Sequence, residues 1–406
     1  MLQDLKYSLF LLGGLFLLLS CDSSSDDDTL PTISSLPTLY VDTDEMAVVE
    51  DVYDYVGAMG QLVENGKSSF KEHLGIRGRG NTTWSAPKKP YRLKFDNKVS
   101  PLGMSPDKSW VLLANYYDPT MLRTEAATYL SSISNLEFTP RFYFIDFVLN
   151  GVYNGVYQIG DKVQKDKRRV NVGDNGFLME IDYRASSSYI TIRVPHIDCP
   201  VLLHPRSTEL TDEEGYNYIS NFMNEADAHL FADDFTDPEN GWQKYLDMDS
   251  FVDWYLINEI AKNNDAVFFS SCYMSLKRGG KLKMGPVWDF DSAFGGTSTN
   301  NTHLTEGLWI ANADWYARLF EDPAFVARVK ERFAHFYSSR SALLQMIDTQ
   351  SKKLEEGAIR NEKIWHRLSE NEISDEEILR LYRQEVDYLK DWIQRRFEWL
   401  NTEFAK

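Results

Sequence analysis

Two carboxylates, Asp289 and Asp291, stand two positions apart after a predicted strand, in the segment 285–295, which ends in a glycine. Residues at i and i+2 of an extended segment share one face, so both carboxylates could reach a single metal ion. Mg²⁺ prefers carboxylate oxygens together with phosphate oxygens and water. The pair therefore predicts a magnesium site, although an acidic turn without any function would show the same spacing.

A third carboxylate, Asp265, ends the run Lys-Asn-Asn-Asp at 262–265. This run lies between a predicted helix and residues 267–269, which we expect to turn inward as a strand. A carboxylate at such a junction can be positioned rigidly and still face a cleft. Enzymes that transfer phosphoryl groups to hydroxyls need one carboxylate that accepts or orients the hydroxyl proton. Asp265 suits that role, and it would equally suit the capping of a turn.

A basic, glycine-rich segment covers residues 75–94 in a chain whose net charge is −18. Its glycines allow close approach of the backbone to an anion, and its Arg and Lys side chains supply positive charge. Asn81, Thr82 and Thr83 add uncharged hydrogen-bond donors. The segment predicts a site for a polyphosphate, and a solvated hairpin with basic residues is the alternative.

The elements that must position these residues are strands in the first half of the chain. Short apolar runs separated by turn residues predict a β-rich region built from hairpins. We expect strands at 91–95, 142–149 and 155–159, with turns at Asn150-Gly151 and Asn154-Gly155. Helix start signals at 118–120 predict a helix over 121–130 inserted among these strands.

From residue 249 onward the pattern predicts helices, first over 250–262 and most clearly near the C-terminus. Ser374 and Glu377 form a capping box at the start of the last one. Apolar residues then recur at steps of four and three, which indicates a buried stripe. They are Ile378, Tyr382, Val386, Leu389, Ile393, Phe397 and Leu400. A boundary is expected within 295–307, where Gly, Thr, Asn and Ser concentrate.

The N-terminus has the layout of a secretory signal peptide, with Lys6 before an apolar block at 9–19. Residues 18–21, Leu-Leu-Ser-Cys, resemble the bacterial lipobox, so residues 1–20 are predicted to be removed and Cys21 to become the lipidated N-terminus. A plain signal peptide with an incidental cysteine is the alternative.

Residues 21–37 have few apolar side chains, which predicts a flexible acidic tether behind a membrane anchor. The acidic run at 25–28 resembles the signal that sends some Bacteroidetes lipoproteins to the cell surface. We therefore expect an exported, lipid-anchored protein at the outer membrane or the cell surface.

Composition limits the possible partners and the core. The net charge of −18 and the pI near 4.9 oppose binding of nucleic acid, because phosphates would be repelled. A chain of 406 residues with 43% hydrophobic residues can build a large core. Cys199 and Cys272 are the only candidates for a disulfide once Cys21 is lipidated, and their apolar surroundings favour two buried free thiols.

Several motifs taken together and in order resemble the CotH (spore-coat protein H) family of atypical, protein-kinase-like phosphotransferases. They are Arg-Gly-Arg-Gly-Asn-Thr-Thr-Trp at 77–84, Pro-Lys-Lys-Pro-Tyr-Arg-Leu at 87–93, Trp-Val-Leu-Leu-Ala-Asn at 110–115 with Asp118, Tyr-Asn-Gly-Val-Tyr at 153–157 and Trp-Asp-Phe-Asp at 288–291. The resemblance implies an α+β, atypical protein-kinase-like fold with a β-rich N-terminal half and a helical C-terminal half. We expect a kinase-like domain at 38–300 and, packed on it, a helical C-terminal extension at 301–406.

The resemblance also implies roles for individual residues. Asp265 would be the catalytic carboxylate, and Asp289 with Asp291 would bind the metal. Arg77, Arg79, Asn81 and either Lys89 or Lys94 would face the phosphates of a nucleotide. Glu180 would pair with a lysine or line the nucleotide pocket.

Two positions depart from the family pattern. Ser270 stands where relatives often have an Asn five residues after the catalytic Asp, which leaves a second metal ligand in question. Asp161 replaces a common Glu, and the shorter side chain would not reach the same partner.

The leading functional hypothesis is transfer of a phosphoryl group from ATP, with Mg²⁺, to a protein or glycan hydroxyl in the cell envelope. The scarcity of ATP outside the cytoplasm opposes it. The competing hypothesis is a non-catalytic surface or assembly lipoprotein that binds a polysaccharide or a protein. A glycoside hydrolase ranks third, because it leaves the basic segment unexplained.

Overall fold

The computed structural model describes residues 30–184, 190–204 and 213–406. The predicted signal peptide and Cys21 lie outside the described residues. Part of the predicted tether is described: the Ser34 hydroxyl donates to a carboxylate oxygen of Asp146 at 2.5 Å. Residues 30–37 therefore lie against the folded body.

Within these ranges, seven strands of the first half close into a barrel with the order β1-β2-β3-β4-β5-β7-β6. Neighbouring strands are antiparallel except for β1 and β6, which run parallel and complete the closure. The strands are β1 (Thr38–Thr43), β2 (Val56–Glu64), β3 (Lys67–Gly78), β4 (Tyr91–Val99), β5 (Asp107–Leu113), β6 (Phe142–Leu149) and β7 (Val152–Asp161).

Alternation of side chains explains why these segments form barrel strands. In β4, Tyr91, Leu93 and Phe95 are buried inside the barrel, whereas Lys94 is exposed outside it. The predicted strands at 91–95 and 142–149 are confirmed. The predicted turn at Asn150-Gly151 is confirmed as well, with φ of 51° and 72° at the two residues.

The second predicted turn, Asn154-Gly155, is wrong, because both residues lie inside β7. The pairing of β6 with β7 shifts register between Asp146 and Val148, which marks a β-bulge at this point. Gly155 has φ of 94°, and a Cβ there would lie 2.6 Å from the Asn361 side chain. Glycine is therefore required at this position by the contact with Asn361 of α6, whereas the local sequence pattern had indicated a turn.

A second sheet of five strands has the order β12-β11-β8-β10-β9 in the described part of the chain. The strands are β8 (Phe177–Ile181), β9 (Ile190–Ile192), β10 (Val201–Leu203), β11 (Cys272–Leu276) and β12 (Leu282–Met284). The strand expected at 267–269 is absent from this described region. Phe268 and Ser271 both have φ of 58°, so the chain turns there and pairs as a strand only from Cys272.

Helices complete the molecule: α1 (Thr82–Ser85), α2 (Arg123–Ser132), α3 (Glu213–Leu230), α4 (Met248–Ala261), α5 (Asp314–Leu319), α6 (Pro323–Trp365) and α7 (Asp375–Phe404). The predicted helices over 121–130, 250–262 and the C-terminal stripe are confirmed, and all seven stripe residues are buried. The Ser374 hydroxyl accepts the Glu377 N–H at 3.2 Å, as the capping box predicts. In the described residues, no helix combines the length and apolar character that a membrane crossing requires.

Helix α6 packs against β7 of the barrel and also against α2, α4 and α7. It therefore connects the barrel with the helical half. The architecture confirms an α+β class with a β-rich first half and a helical second half. Cys199 and Cys272 are free thiols, as expected, but only Cys272 is fully buried.

Candidate active site

A cleft with a volume of about 440 Å³ lies between the barrel and the second sheet. Most of its lining comes from three loops and from the end of strand β8 with the residues that follow it. The loops are the glycine loop (residues 79–90, between β3 and β4), the Asp265 loop (262–271, after α4) and the Asp289 loop (285–296, after β12). Six residues predicted from the sequence line this cleft together: Arg79, Asn81, Glu180, Asp265, Asp289 and Asp291.

The end of α4 positions Asp265. The helix ends at Ala261, and the next residue, Lys262, has φ of 45°. Lys262 donates from Nζ to the carbonyl oxygens of Leu304 and Glu306 at 3.0 and 2.5 Å. The Asp265 backbone carbonyl then accepts two N–H groups, from Phe269 and Ser270, both at 3.2 Å. The backbone of Asp265 therefore closes a turn, while its carboxylate remains in the cleft.

Asp289 and Asp291 reach the same cleft by a route that differs from the expected extended segment. Asp289 has φ of 65°, and Phe290 between the two carboxylates is buried with 2% exposure. The apolar ring packs into the core and the left-handed turn directs both neighbours outward. The Ser271 hydroxyl donates to Asp289 Oδ2 at 3.4 Å and so joins the Asp265 loop to the Asp289 loop.

The carboxylates of the cleft raise one another's pKa values. Burial raises the pKa of Asp291 to about 7, and the nearby carboxylates of Asp289 and Asp118 add to the rise. Burial also raises the pKa of Asp289, with Arg79 opposing the rise and Asp265 adding to it. The Asp289 side chain remains accessible to solvent in the cleft, which weakens the effect of burial. A cation between these carboxylates would favour their charged forms.

Arg79 supplies that cleft with a positive charge. Its guanidinium lies over the Trp288 ring, 5.5 Å from the centroid. Burial lowers the pKa of Arg79, and the charges of Asp289, Asp291 and Glu180 oppose that effect. The next residue, Gly80, has φ of 79°, and a Cβ there would lie 2.1 Å from the Thr83 hydroxyl. Only glycine fits this turn without displacing the donors that follow it.

The donor set fits a metal ion that is shared with a bound anion. Among the described residues, no three His, Cys, Asp or Glu side chains lie close enough to hold an ion by themselves. Mg²⁺ is usually held by one or two carboxylates together with phosphate oxygens and water. Asp289 and Asp291 match that arrangement better than a closed structural site.

Glu180 lines the cleft from β8, where it is 9% exposed. One of its carboxylate oxygens lies 2.8 Å from His204 Nε2. Its described partner is therefore His204, which directly follows β10, and the predicted pairing with a lysine is not seen among the described contacts.

Several predicted residues lie outside the cleft. Lys89 donates to the Trp84 carbonyl at 2.7 Å, and Lys94 is exposed on the outer face of β4. Ser270 is 2% exposed and lies beneath the cleft surface. Asp161 pairs with Arg141 at 3.0 Å and Arg169 at 3.3 Å. The shorter Asp161 side chain therefore has its own partners in the barrel wall.

A basic groove of about 630 Å³ continues from the cleft, and Arg79, Gly80, Tyr273 and Trp288 line both. Its cationic lining residues are Arg77, Arg79, Arg92, Lys162 and Lys165, with His204 beside them. No Asp or Glu belongs to its described lining. Val111, Val163 and Leu178 give the groove an apolar part. Sequence analysis identified Arg77 but missed the groove, because its walls come from segments far apart in the chain.

Two buried arginines, to which the sequence assigned no role, hold the elements behind the cleft together. Arg123 pairs with Asp118 at the start of α2 and donates from Nε to the Ala293 carbonyl at 3.0 Å. Arg396 in α7 donates to the carboxylate of Glu259, near the end of α4, at 2.6 Å. Arg396 falls within the periodic apolar stripe of α7, so the 3.6-residue spacing could have identified it as buried.

Comparison with models of known protein families matches residues 76–400 to the family described as CotH kinase protein. The match includes the cleft residues and runs across the predicted boundary near residue 300 into α5, α6 and α7. Among curated proteins, no match was found.

Proposed function

The chain belongs to the CotH kinase protein family, and from that membership we propose that its cleft transfers a phosphoryl group from ATP to a hydroxyl of a protein or glycan. One observation carries the proposal. Arg79 of the glycine loop lines a single cleft together with Asp265 and Asp289, which come from two loops far from it in the chain. A purely structural protein has no evident need to bring these unlike charges together.

The glycine loop and the basic groove suit the proposed phosphoryl donor, ATP. Gly80, Asn81 and Thr82 line the cleft beside Arg79, and their backbone and side-chain donors would bind phosphate oxygens. The base and ribose would lie in the adjoining groove, against Val111 and Leu178. The two spaces are continuous, which a nucleoside triphosphate requires.

Asp289 and Asp291 are the residues that would hold Mg²⁺. The ion would neutralise the charge that develops on the transferred phosphoryl group. Both carboxylates must be ionised for this role, and the raised pKa of Asp291, about 7, makes its ligand form dominant only at neutral pH and above unless a cation is bound.

Asp265 would act on the acceptor. Its carboxylate accepts a hydrogen bond from Asn264 Nδ2 at 2.7 Å, which orients it toward the cleft. The acceptor hydroxyl would give its proton to Asp265 as its oxygen bonds to the γ-phosphorus. The bond from that phosphorus to the bridging oxygen breaks, and ADP leaves with the electron pair. The remaining task of the protein is to position the nucleotide and the acceptor hydroxyl, because phosphoryl transfer depends mainly on positioning.

The test compares the chain from Asp22 onward with its Asp265→Asn and Asp289→Asn variants, using γ-labelled ATP, Mg²⁺ and envelope extract as acceptor. Asp265→Asn should keep Mg²⁺-dependent ATP binding and lose transfer by roughly 10²-fold or more. Asp289→Asn should lose the Mg²⁺-dependent part of binding as well. Asp233→Asn, an exposed carboxylate outside the cleft, is the matched control. Equal labelling by all four proteins, or no ATP binding by any, contradicts the proposal.

A further inference from the structure

Two aromatic rings are exposed at the mouth of the cleft. Phe269 is 40% and Tyr183 46% exposed, and both line the cleft. The rings stack with their centroids 4.1 Å apart and their planes 15° from parallel. Large apolar side chains that cluster in solvent beside a cleft commonly mark a binding surface.

This aromatic pair is fixed relative to Asp265. The Tyr183 N–H donates to the Phe269 carbonyl at 2.9 Å, and the Phe269 N–H donates to the Asp265 carbonyl at 3.2 Å. Phe269 is therefore part of the same turn as the proposed base. Any group that packs on its ring is brought to a defined position beside the Asp265 carboxylate.

Among the contacts of the described residues, none covers the second face of the Phe269 ring. The Arg184 guanidinium lies over the Tyr183 ring, 4.7 Å from its centroid. Phe269 already occupies one face of Tyr183, so Arg184 covers the opposite face. The order is Arg184, Tyr183, Phe269, and the outward face of Phe269 is the one that solvent reaches.

The surroundings of that face are polar. Asn264, Thr297 and Thr299 line this side of the cleft with amide and hydroxyl groups. The carboxylate of Asp182 and the guanidinium of Arg184 belong to the same lining and offset each other in charge. An apolar ligand would leave these groups unpaired, which is costly.

We propose that Phe269 is the platform for the acceptor and that the acceptor is a sugar ring of a glycan. This rests on the proposed function, because it takes Asp265 as the base. The C–H face of a pyranose ring packs on an aromatic face, and its ring hydroxyls extend sideways to hydrogen-bonding groups. Such a ligand satisfies both the ring and the polar rim, and it presents a hydroxyl to Asp265.

Binding is measured by saturation-transfer NMR, with Mg²⁺ and ADP present, on the chain from Asp22 onward. The probes are three trisaccharides, chitotriose, cellotriose and mannotriose, and one serine- and tyrosine-containing peptide. We expect at least one trisaccharide to bind, and Phe269→Ala to weaken that binding roughly tenfold. Phe269→Trp should preserve it. Tyr143→Ala, which removes a ring 41% exposed on the barrel, should leave it unchanged.

A second measurement separates this inference from the proposed function. In the labelling assay, Phe269→Ala should raise the KM for the trisaccharide roughly tenfold and leave the KM for ATP unchanged. If none of the trisaccharides binds, or if only the peptide depends on Phe269, the sugar assignment is overturned. Sugar binding that depends on Phe269 without any ATP turnover would support the platform and contradict the phosphotransferase.

Discussion

Arg396 joins the C-terminal helix to the last turn of α4, just before the Asp265 loop, and its loss should destabilise the whole protein. The side chain is fully buried at 0% exposure. Its guanidinium donates to the Glu259 carboxylate at 2.6 Å and to the carbonyl oxygens of Thr305 and Gly307 at 2.7 and 2.9 Å. The Glu259 carboxylate in turn accepts the N–H groups of Trp309 and Ile310, both at 2.8 Å. One guanidinium thus connects α7, α4 and the segment 304–311.

Arg396→Met should lower the free energy of unfolding by about 3–5 kcal/mol, because it leaves the buried Glu259 carboxylate without its countercharge. The carbonyl oxygens of Thr305 and Gly307 also lose their donor, at roughly 1–3 kcal/mol for each buried group left unsatisfied. Three backbone N–H donors, those of Trp309, Ile310 and Ala311, stay with Glu259 and limit the loss. We therefore expect a loss near the lower end of the range, about 3 kcal/mol. Urea unfolding followed by tryptophan fluorescence measures it.

The neighbouring arginine provides the control. Arg395 pairs with Asp391 at 2.8 Å, but the two side chains are 49% and 62% exposed, so Arg395→Met should cost less than about 1 kcal/mol. The reasoning is refuted if the two variants unfold within 1 kcal/mol of each other. At a temperature where Arg396→Met is still folded, its phosphoryl transfer should also fall, because Glu259 no longer anchors the helix that leads to Asp265.

Two further predictions concern buried titratable groups. Lys88 is 1% exposed and donates from Nζ to Asn361 Oδ1 at 2.8 Å. Lys88→Met should therefore lower the free energy of unfolding in urea by about 1–3 kcal/mol, whereas Lys89→Met should lower it by less than about 1 kcal/mol. Equal costs would contradict the assignment of Lys88 to the core. Burial raises the pKa of Glu125 to about 7. Between pH 4.5 and that value, the folded state therefore binds more protons than the unfolded state, and the free energy of unfolding falls as the pH rises through this range. Glu125→Gln should therefore unfold like the parent at pH 5 and be more stable by roughly 1–2 kcal/mol at pH 8, and parallel pH profiles of the two proteins would exclude this.

Local pattern was sufficient wherever an element has one buried face. The strand 142–149, the turn at Asn150-Gly151 and the stripe of α7 all follow from side-chain periodicity and turn chemistry. These features depend on neighbours within a few positions along the chain. They were therefore predictable without any knowledge of the fold.

Pattern failed where a distant contact decides the backbone. Gly155 is part of a bulge because Asn361 of α6 packs against it. Phe290 is buried, and this turns Asp289 into a left-handed conformation that an isolated Asp-x-Asp run does not indicate. Lys88 and Lys89 are adjacent in one motif, yet only Lys88 packs into the core.

The residue types needed for phosphoryl transfer were readable from the sequence alone, since a basic glycine loop and isolated carboxylates are local features. Family resemblance added the order in which they occur. Their convergence in one cleft was decided only by tertiary structure, because the glycine loop and the two acidic loops lie far apart in the chain. The same holds for the closure of the barrel, the basic groove and the anchoring by Arg396. Each requires packing between segments that are distant in the chain, and the sequence of one segment does not indicate which other segment it will contact.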